Sequence, residues 1–522
     1  MGIVQVATDR KTSRRKFLQG AGASLLTATA SGCTSMGLRK SPFVLSRKQQ
    51  TEASNVLVFM SDEHNPYFSG LGRYRFVETP NLEKLAERGV VFSNTYCPSP
   101  VCHPSRSAFC AGQRVHQIQT YSNCNLFKAT FPSYGHILAQ AGVHTVNIGK
   151  TDFYNDGVRL GFSEVISPGE RLQPNPYISR QPLAINPGSP VAARQYGVDP
   201  KNFEYDIQRV DEAIHWLRET APSLTQPWVC VVNGIRPHFP HKVAQDLWDK
   251  YQARHDLPRF DGTVDSANHP YALDLRAHFQ TDRFTEEQVR GLRQGYYGCV
   301  TFMDQQVGRL LAALDESGLS DQTIFAYTSD HGEMLGKFGM WWKCSLYEDS
   351  ARIPMVVAGP GFPKGQVVET PVDLHDLQAT FFHATGKLRE RPDGWQGTPL
   401  PEIPVNDPGR VVFSEYHGHG TRASSYLIRK GDWKLHYCIA ASHQLFNLAD
   451  DPDELHNLAS THPEKLSELE GELRSICNPI KENQRAEDYI QIQLAELDKR
   501  GLLPPPPEEP PIVDGGSLGW YV

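Results

Sequence analysis

Short runs of branched and aromatic residues that stop abruptly at polar ones set the pattern of this chain. Val56-Leu57-Val58-Phe59-Met60 ends in Ser61-Asp62-Glu63-His64, and 323–328 ends in Ser329-Asp330-His331-Gly332-Glu333. A third run, 228–235, leads to Arg236-Pro237-His238-Phe239-Pro240. Such runs fit buried parallel strands, which deliver the next polar side chains to the carboxyl edge of an α/β sheet. Between them the spacing turns helical. Residues 81–89 place Leu82 and Leu85 on one face, after Thr79-Pro80 and before Gly89. Helices are also predicted over 132–142, 206–220 and 304–317. In the second, Ile207, Val210, Ile214 and Leu217 form a core-facing stripe. Polar stretches with Pro and Gly at 165–200 and 253–282 predict surface insertions of the kind that shape a substrate mouth.

After Pro399-Leu400-Pro401 the period changes. Short strands are predicted at 410–416, 423–429, 433–438 and 443–447, with Gly431-Asp432 as a hairpin turn. A helix over 463–476 follows. The expected architecture is α/β: a large mixed, mostly parallel sheet flanked by helices, then a small antiparallel sheet with a helix. The expected divisions are a leader (1–33), a catalytic domain (52–395), an α+β subdomain (405–480) and an extended tail (481–522) with a cluster at Pro504–Pro511.

Composition narrows the function. A net charge of -7 over 522 residues argues against nucleic acid as the main partner. An anionic substrate stays open, because it needs only a local positive pocket. Ser13-Arg14-Arg15-Lys16-Phe17-Leu18 matches a twin-arginine export signal, and the weakly apolar 18–30 is too short and polar for a permanent span. Ala28-Thr29-Ala30 offers a signal-peptidase site, and Ala30-Ser31-Gly32-Cys33 a loose lipobox with Cys33 as lipid acceptor. The expected location is the periplasm or a lipid anchor at the cell envelope, with no transmembrane span. Ten cysteines in so long a chain are no disulfide framework, and most are expected to be buried apolar groups.

The chemistry centres on Cys102-His103-Pro104-Ser105-Arg106, which fits C-x-P-S-R. With Asp62, Glu63, Gly149-Lys150-Thr151-Asp152, His238, Asp330, His331 and Lys343 in one order along the chain, it makes the sequence resemble the type I sulfatases of the alkaline-phosphatase-like superfamily. That resemblance covers nearly the whole mature length. It implies that a maturase converts Cys102 to formylglycine, whose hydrate has one hydroxyl to attack sulfur and a second to expel sulfate. It also implies one divalent cation, usually calcium, held by Asp62, Glu63, Asp330, His331 and the modified Cys102. A histidine at 331 suits zinc or manganese better than calcium, and the alternative for it is a hydrogen bond to sulfate or formylglycine. Arg106 would brace the site, Lys150 and Lys343 would hold sulfate oxygens, and His238 would protonate the leaving alcohol or bind sulfate.

One position departs from the common G-K-x-H. Asp152 stands where histidine is usual, a pattern that resembles the arylsulfatase K group; choline sulfatases share Asp330-His331 but differ at Asp152. The implied substrate is a sulfated sugar or glycan, with a 2-sulfated uronate as the specific case and His103 and Asp152 as substrate contacts. Two alternatives remain: a phosphonate monoester or phosphodiester hydrolase of the same superfamily, which would lack the lysine at 150, and a non-catalytic binder of sulfated glycans.

Overall fold

The computed structural model describes residues 53–123, 131–153, 160–169, 189–501 and 512–513. The export signal, the Cys33 lipobox and the Pro504–Pro511 cluster lie outside them. In chain order the strands that build the large sheet are β1 (Asn55–Asp62), β2 (Gly89–Phe92), β3 (His144–Lys150), β4 (Glu164–Gly169), β5 (Trp228–Pro237), β6 (Thr323–Ser329), β7 (Met355–Ala358) and β8 (Gln366–Val368). The helices include α1 (Pro80–Arg88), α2 (Cys102–Ala111), α3 (Tyr134–Gln140), α4 (Glu204–Glu219), α5 (Pro270–Phe279), α6 (Glu286–Glu316), α7 (Glu348–Ala351) and α8 (Leu374–Ala384), with short turns of helix at Val115–Ile118 and Gln245–Lys250. The C-terminal part holds β9 (Val411–Tyr416), β10 (Ser425–Lys430), β11 (Trp433–Cys438), β12 (Gln444–Asn447), α9 (Pro463–Ile476) and α10 (Pro479–Lys499).

The sheet runs β8-β2-β7-β6-β1-β5-β3-β4. Its centre, β6-β1-β5-β3-β4, is parallel, and β7 pairs antiparallel with both β6 and β2. The mixed, mostly parallel sheet is therefore as expected, and so is the antiparallel β9-β10-β11-β12 sheet. Side chains alternate across the central strand. Val56, Val58 and Met60 pack with Phe109, Tyr134 and Phe381 on one face, while Leu57 and Phe59 pack with Leu82, Trp216 and Leu310 on the other. Each face thus buries one helix layer, as a doubly covered parallel sheet must.

Several expectations change. The helix before β6 begins at Glu286, not near 304; its interior glycines hide it, because a reader takes them for breaks. Gly295 is there for closeness, since a Cβ would sit 2.0 Å from the His241 carbonyl oxygen. The α4 stripe is narrower than its spacing suggested: Val210 and Leu217 are buried, but Ile207 is exposed. Both insertions carry elements, β4 in one and α5 in the other. The extended tail is overturned over 481–499, which belong to α10. Asn478 caps that helix and Pro479 opens it, both favourable starts. Ala486 of α10 packs on Ala108 of α2 and on Val115 and Tyr121. Among the described residues eight cysteines are present, all buried and unbridged.

One buried pair joins the segment after α2 to the C-terminal sheet. Glu415 of β9 accepts from His116 Nδ1 at 2.9 Å and His417 Nε2 at 2.8 Å. Burial alone would raise its carboxyl, but His116 and His417 hold it well below the usual range. Burial likewise opposes the charge on His116, yet Glu415 raises its pKa. Stability from Glu415 is present above an unfolded value of about 4.3 and is lost on acidification through the depressed one. Stability from His116 is full below about 6.5 and is lost as pH rises through its raised value. Glu415→Gln should therefore cost about 1.5–3 kcal/mol near pH 6, and denaturant melts should show that cost shrinking on the alkaline side. A cost equal at pH 6 and pH 9 would show that His116 carries no charge in the fold.

Candidate active site

In the parallel register Ser61 lies opposite Ser329, so Asp62 and Asp330 leave neighbouring strands side by side. Both are fully buried. Cys102 is the first residue of α2, and Ser105 in the same turn donates to the Asp330 carbonyl at 2.6 Å. Arg106, one turn beyond Cys102 and on its face, brings the fork the two aspartates need. Its Nε donates to Asp330 Oδ2 at 2.7 Å, its Nη2 lies 3.3 Å from Asp62 Oδ2, and its Nη1 donates to Asn233 Oδ1 at 2.9 Å. At the end of β3, Lys150 Nζ donates to Asp62 Oδ2. Beyond β5, the His238 N–H donates to the Asp62 carbonyl at 3.1 Å. Lys343 Nζ lies 3.3 Å from Glu63 Oε2, and the neighbouring Cys344 N–H bonds to the Pro100 carbonyl at 2.8 Å.

The expected cation ligands fall into two overlapping groups. Ligand atoms of Asp62, Cys102, Asp330 and His331 all lie within 4.8 Å of one another, and so do those of Asp62, Glu63 and His238. His331 Nε2 is 3.2 Å from Cys102 Sγ, 3.5 Å from Asp62 Oδ1 and 3.7 Å from Asp330 Oδ1. Its Nδ1 donates to the Gly332 carbonyl at 3.0 Å, an outer bond that frees Nε2 for a metal. Glu63 turns away towards Lys343 and His238, whose Nε2 is 3.4 Å from Oε2. The donor set fits a divalent cation, with the Cys102 sulfur standing where a modified side chain would place oxygen. Asp62, Glu63, Asp152, Asp330 and Glu333 are all buried around Arg106, Lys150, Lys343 and His331, so carboxyl groups crowd the pocket. Glu63 and Glu333 lie within hydrogen-bond reach of each other, and burial raises both.

The electrostatics follow. Burial would raise Asp62, but Lys150, His238, His331 and Arg106 hold it well below the carboxylate range. For Glu63 burial wins, aided by Glu333, and its pKa lies well above. Burial and then Lys343 hold His238 well below the usual imidazole value. Burial also opposes charge on His331, yet Asp330 and Cys102 carry it up to about 10; a metal at Nε2 would require the neutral ring.

Left-handed backbone clusters here. Glu63 (φ 70°), Asp152 (φ 62°), Trp342 (φ 62°) and Cys344 (φ 72°) each stand beside or within two residues of a charged group of the site. Such residues cost about 1–3 kcal/mol each and persist where surroundings over-determine them. His103 is buried, takes Asn123 Oδ1 on its N–H at 3.0 Å and donates from Nδ1 to the Asp152 carbonyl at 2.6 Å. Asp152 is buried, its N–H on the Gly169 carbonyl at 2.9 Å, and its charge helps raise Arg106 and Lys150. The structure thus gathers every residue expected at the site. It adds Asn233, Asn123, Glu333 and His64, whose Nδ1 meets the Tyr327 hydroxyl at 2.7 Å and whose pKa burial pushes down to about 4. His64 and Glu333 stand in the polar clusters that end β1 and β6, Asn233 is an amide inside an otherwise apolar run, and Asn123 left no signal.

Comparison with known proteins agrees. The model of the sulfatase family matches residues 54–387, and that of the N-sulphoglucosamine sulphohydrolase C-terminal domain matches 336–481. The chain is 32% identical over 435 residues to a choline-sulfatase of Rhizobium meliloti (strain 1021), covering 78% of this chain and 83% of that one. It is 28% identical over 472 residues to arylsulfatase K of Homo sapiens, covering 85% and 86%. Among solved structures, a phosphonate monoester hydrolase from Silicibacter pomeroyi superposes with TM-score 0.66 at 23% identity, covering 81% of this chain and 94% of that one. A 2-O GAG sulfatase superposes with TM-score 0.62 at 20% identity, covering 90% and 97%. At those identities the two structures speak for the fold alone. Taken with the matched family model and the choline-sulfatase likeness, the site places this chain in the sulfatase family, as a sulfuric ester hydrolase.

Proposed function

We propose that the protein cleaves a sulfate ester of a sugar or glycan, with formylglycine at 102 and one divalent cation. The observation that carries this is Cys102 at the head of α2, among Asp62, Asp330 and His331 and ringed by Arg106, Lys150 and Lys343. When bound, the cation would polarise a sulfate oxygen and make the nucleophile more acidic. Asp62, Asp330 and His331 would hold it, with Arg106 fixing both aspartates. Lys150 and Lys343 have each engaged one carboxylate and keep further N–H donors for sulfate oxygens, where negative charge grows as the ester bond breaks. His238 fits the acid role less well than expected. Its Nδ1–H is spent on the Phe239 carbonyl at 2.8 Å, which leaves a lone pair at Nε2. That nitrogen accepts a proton or hydrogen bond rather than supplying one.

The sugar reading draws on Asp152 and on the names of the relatives, arylsulfatase K among them. The presence of Lys150 favours sulfate over phosphonate. Folding before export, read from Arg14-Arg15, would let the maturase reach Cys102 in the cytoplasm.

An Arg14→Lys, Arg15→Lys precursor should stay inside the cell, and mass spectrometry of the peptide containing residue 102 should show an aldehyde in place of the thiol. Cys102→Ala should fold and show no turnover. An active Cys102→Ala enzyme would sink the mechanism, and normal export of the double-lysine protein would sink the order of events.

Elemental analysis of purified enzyme should find one divalent metal per chain. Exhaustive chelation should remove both metal and activity, and Asp330→Asn should lower kcat/KM by on the order of a thousandfold without rescue by calcium. Full activity in metal-free protein counts against any cation.

Asp152→Ala should lower activity on a sulfated sugar about ten- to hundredfold, as a lost charge-assisted hydrogen bond of about 1.5–3 kcal/mol predicts. A small aryl sulfate, with no sugar hydroxyl to offer, should be affected far less, whereas Lys150→Ala should harm both. Equal damage by Asp152→Ala on both substrates assigns the residue to the shared apparatus.

A further inference from the structure

The C-terminal sheet reaches the active site through buried charge. Lys434, buried on β11, donates to Glu348 Oε1 at 2.8 Å and to Glu454 Oε1 at 2.7 Å. Glu454 Oε2 in turn accepts the N–H of Glu348, the first residue of α7, at 2.8 Å. The Tyr96 hydroxyl donates to the same Glu348 carboxylate at 3.0 Å. One layer on, Lys337 Nζ donates to Asp349 Oδ2 at 2.6 Å and lies 3.8 Å from Glu454 Oε2. Asp349 Oδ1 accepts from Asn65 Nδ2 at 3.1 Å, two residues beyond Glu63.

This clamp grips the far end of an excursion that starts at Asp330 and His331 and carries Lys343. Between β6 and α7 the only regular structure is one 3-10 turn, Lys337–Gly339, and the backbone bonds beside Lys343 are isolated ones, Met334 N–H to the Trp342 carbonyl at 2.7 Å and Cys344 N–H to the Pro100 carbonyl at 2.8 Å. The excursion closes on itself. Gly332 N–H bonds to the Ser350 carbonyl at 2.7 Å and Glu333 N–H to the Asp349 carbonyl at 2.8 Å. Glu333 Oε1 gathers the N–H groups of Leu335 and Trp342, at 2.7 and 2.6 Å. Trp342 and Cys344, on either side of Lys343, are both left-handed. A loop so bent, its return end held by two backbone bonds and by the Glu348 and Asp349 side chains, draws part of its shape from those side chains.

We propose that the Lys434–Glu454 pair is a positioning device for the hydrolysis: by locking Glu348 it sets Lys343 against Glu63 and the Cys102 loop. This rests on the reading of Lys343 as a group that holds the sulfate. A pair that only stabilised the fold would lower melting temperature and leave the turnover of folded enzyme alone.

The test replaces both partners, because removing one would strand a buried charge. Lys434→Met with Glu454→Gln keeps the net charge, and Arg429 and Arg352 still face Glu348. The expected result is a folded enzyme with kcat down about ten- to hundredfold, since a misplacement of about 1 Å costs that order. KM should change by less than about threefold, and Lys434→Arg should keep most of kcat. In a Lys343→Met background the same pair replacement should change residual kcat by less than about twofold, because both act through one group. Should the pair variant not fold, Glu454→Gln alone, which keeps an acceptor for the Glu348 N–H, is read by the same two comparisons. A pair variant with wild-type kcat, or one as damaging with Met at 343 as with Lys, overturns the clamp alone. A silent Lys343→Met overturns the site reading and the clamp together.

Discussion

Two carboxylates brought side by side out of water by adjacent parallel strands are the constraint from which the rest of this site follows. β1 and β6 run in register to Ser61 and Ser329, so Asp62 and Asp330 emerge together. Removing one member of such a buried charge set typically costs about 3–5 kcal/mol, because the remainder is left uncompensated. Arg106 supplies compensation to both, and its place one turn into α2 puts Cys102 at the helix start, against the same carboxylates. The helix that carries Cys102 and the helix that neutralises the aspartates are thus one helix.

Compensation comes from several side chains at once. Lys150 and Lys343 each engage a carboxylate, and Glu63 and Glu333 meet one another with burial raising both. The charged groups of the site hold one another in place, with the Phe239 ring packed against His238 and beneath Lys343. The left-handed residues at 63, 152, 342 and 344 belong to the same economy of space: they turn the backbone sharply where three separate segments converge. The C-terminal part contributes at one remove, through Glu348 and Glu454 towards the Lys343 loop and through α10 and Glu415 towards the far end of α2.

What could be read from residue order alone was whatever is local along the chain. The C-x-P-S-R run, the acidic ends of β1 and β6 and the β9–β12 hairpins each lie within a few residues, so period and motif expose them. The sulfatase resemblance and the α/β architecture followed from those. Helix α10 escaped because the proline cluster beyond it dominated the reading, and the first half of α6 because its glycines mimic breaks. Only the tertiary structure could show that Glu63 faces His238 and Lys343 rather than Asp330, that His238 spends its Nδ1–H on a carbonyl, and that Lys434 locks Glu348. Those pairings span from one residue to 280, and which of a carboxylate's possible partners it meets is decided by burial and sheet register, which no local pattern encodes.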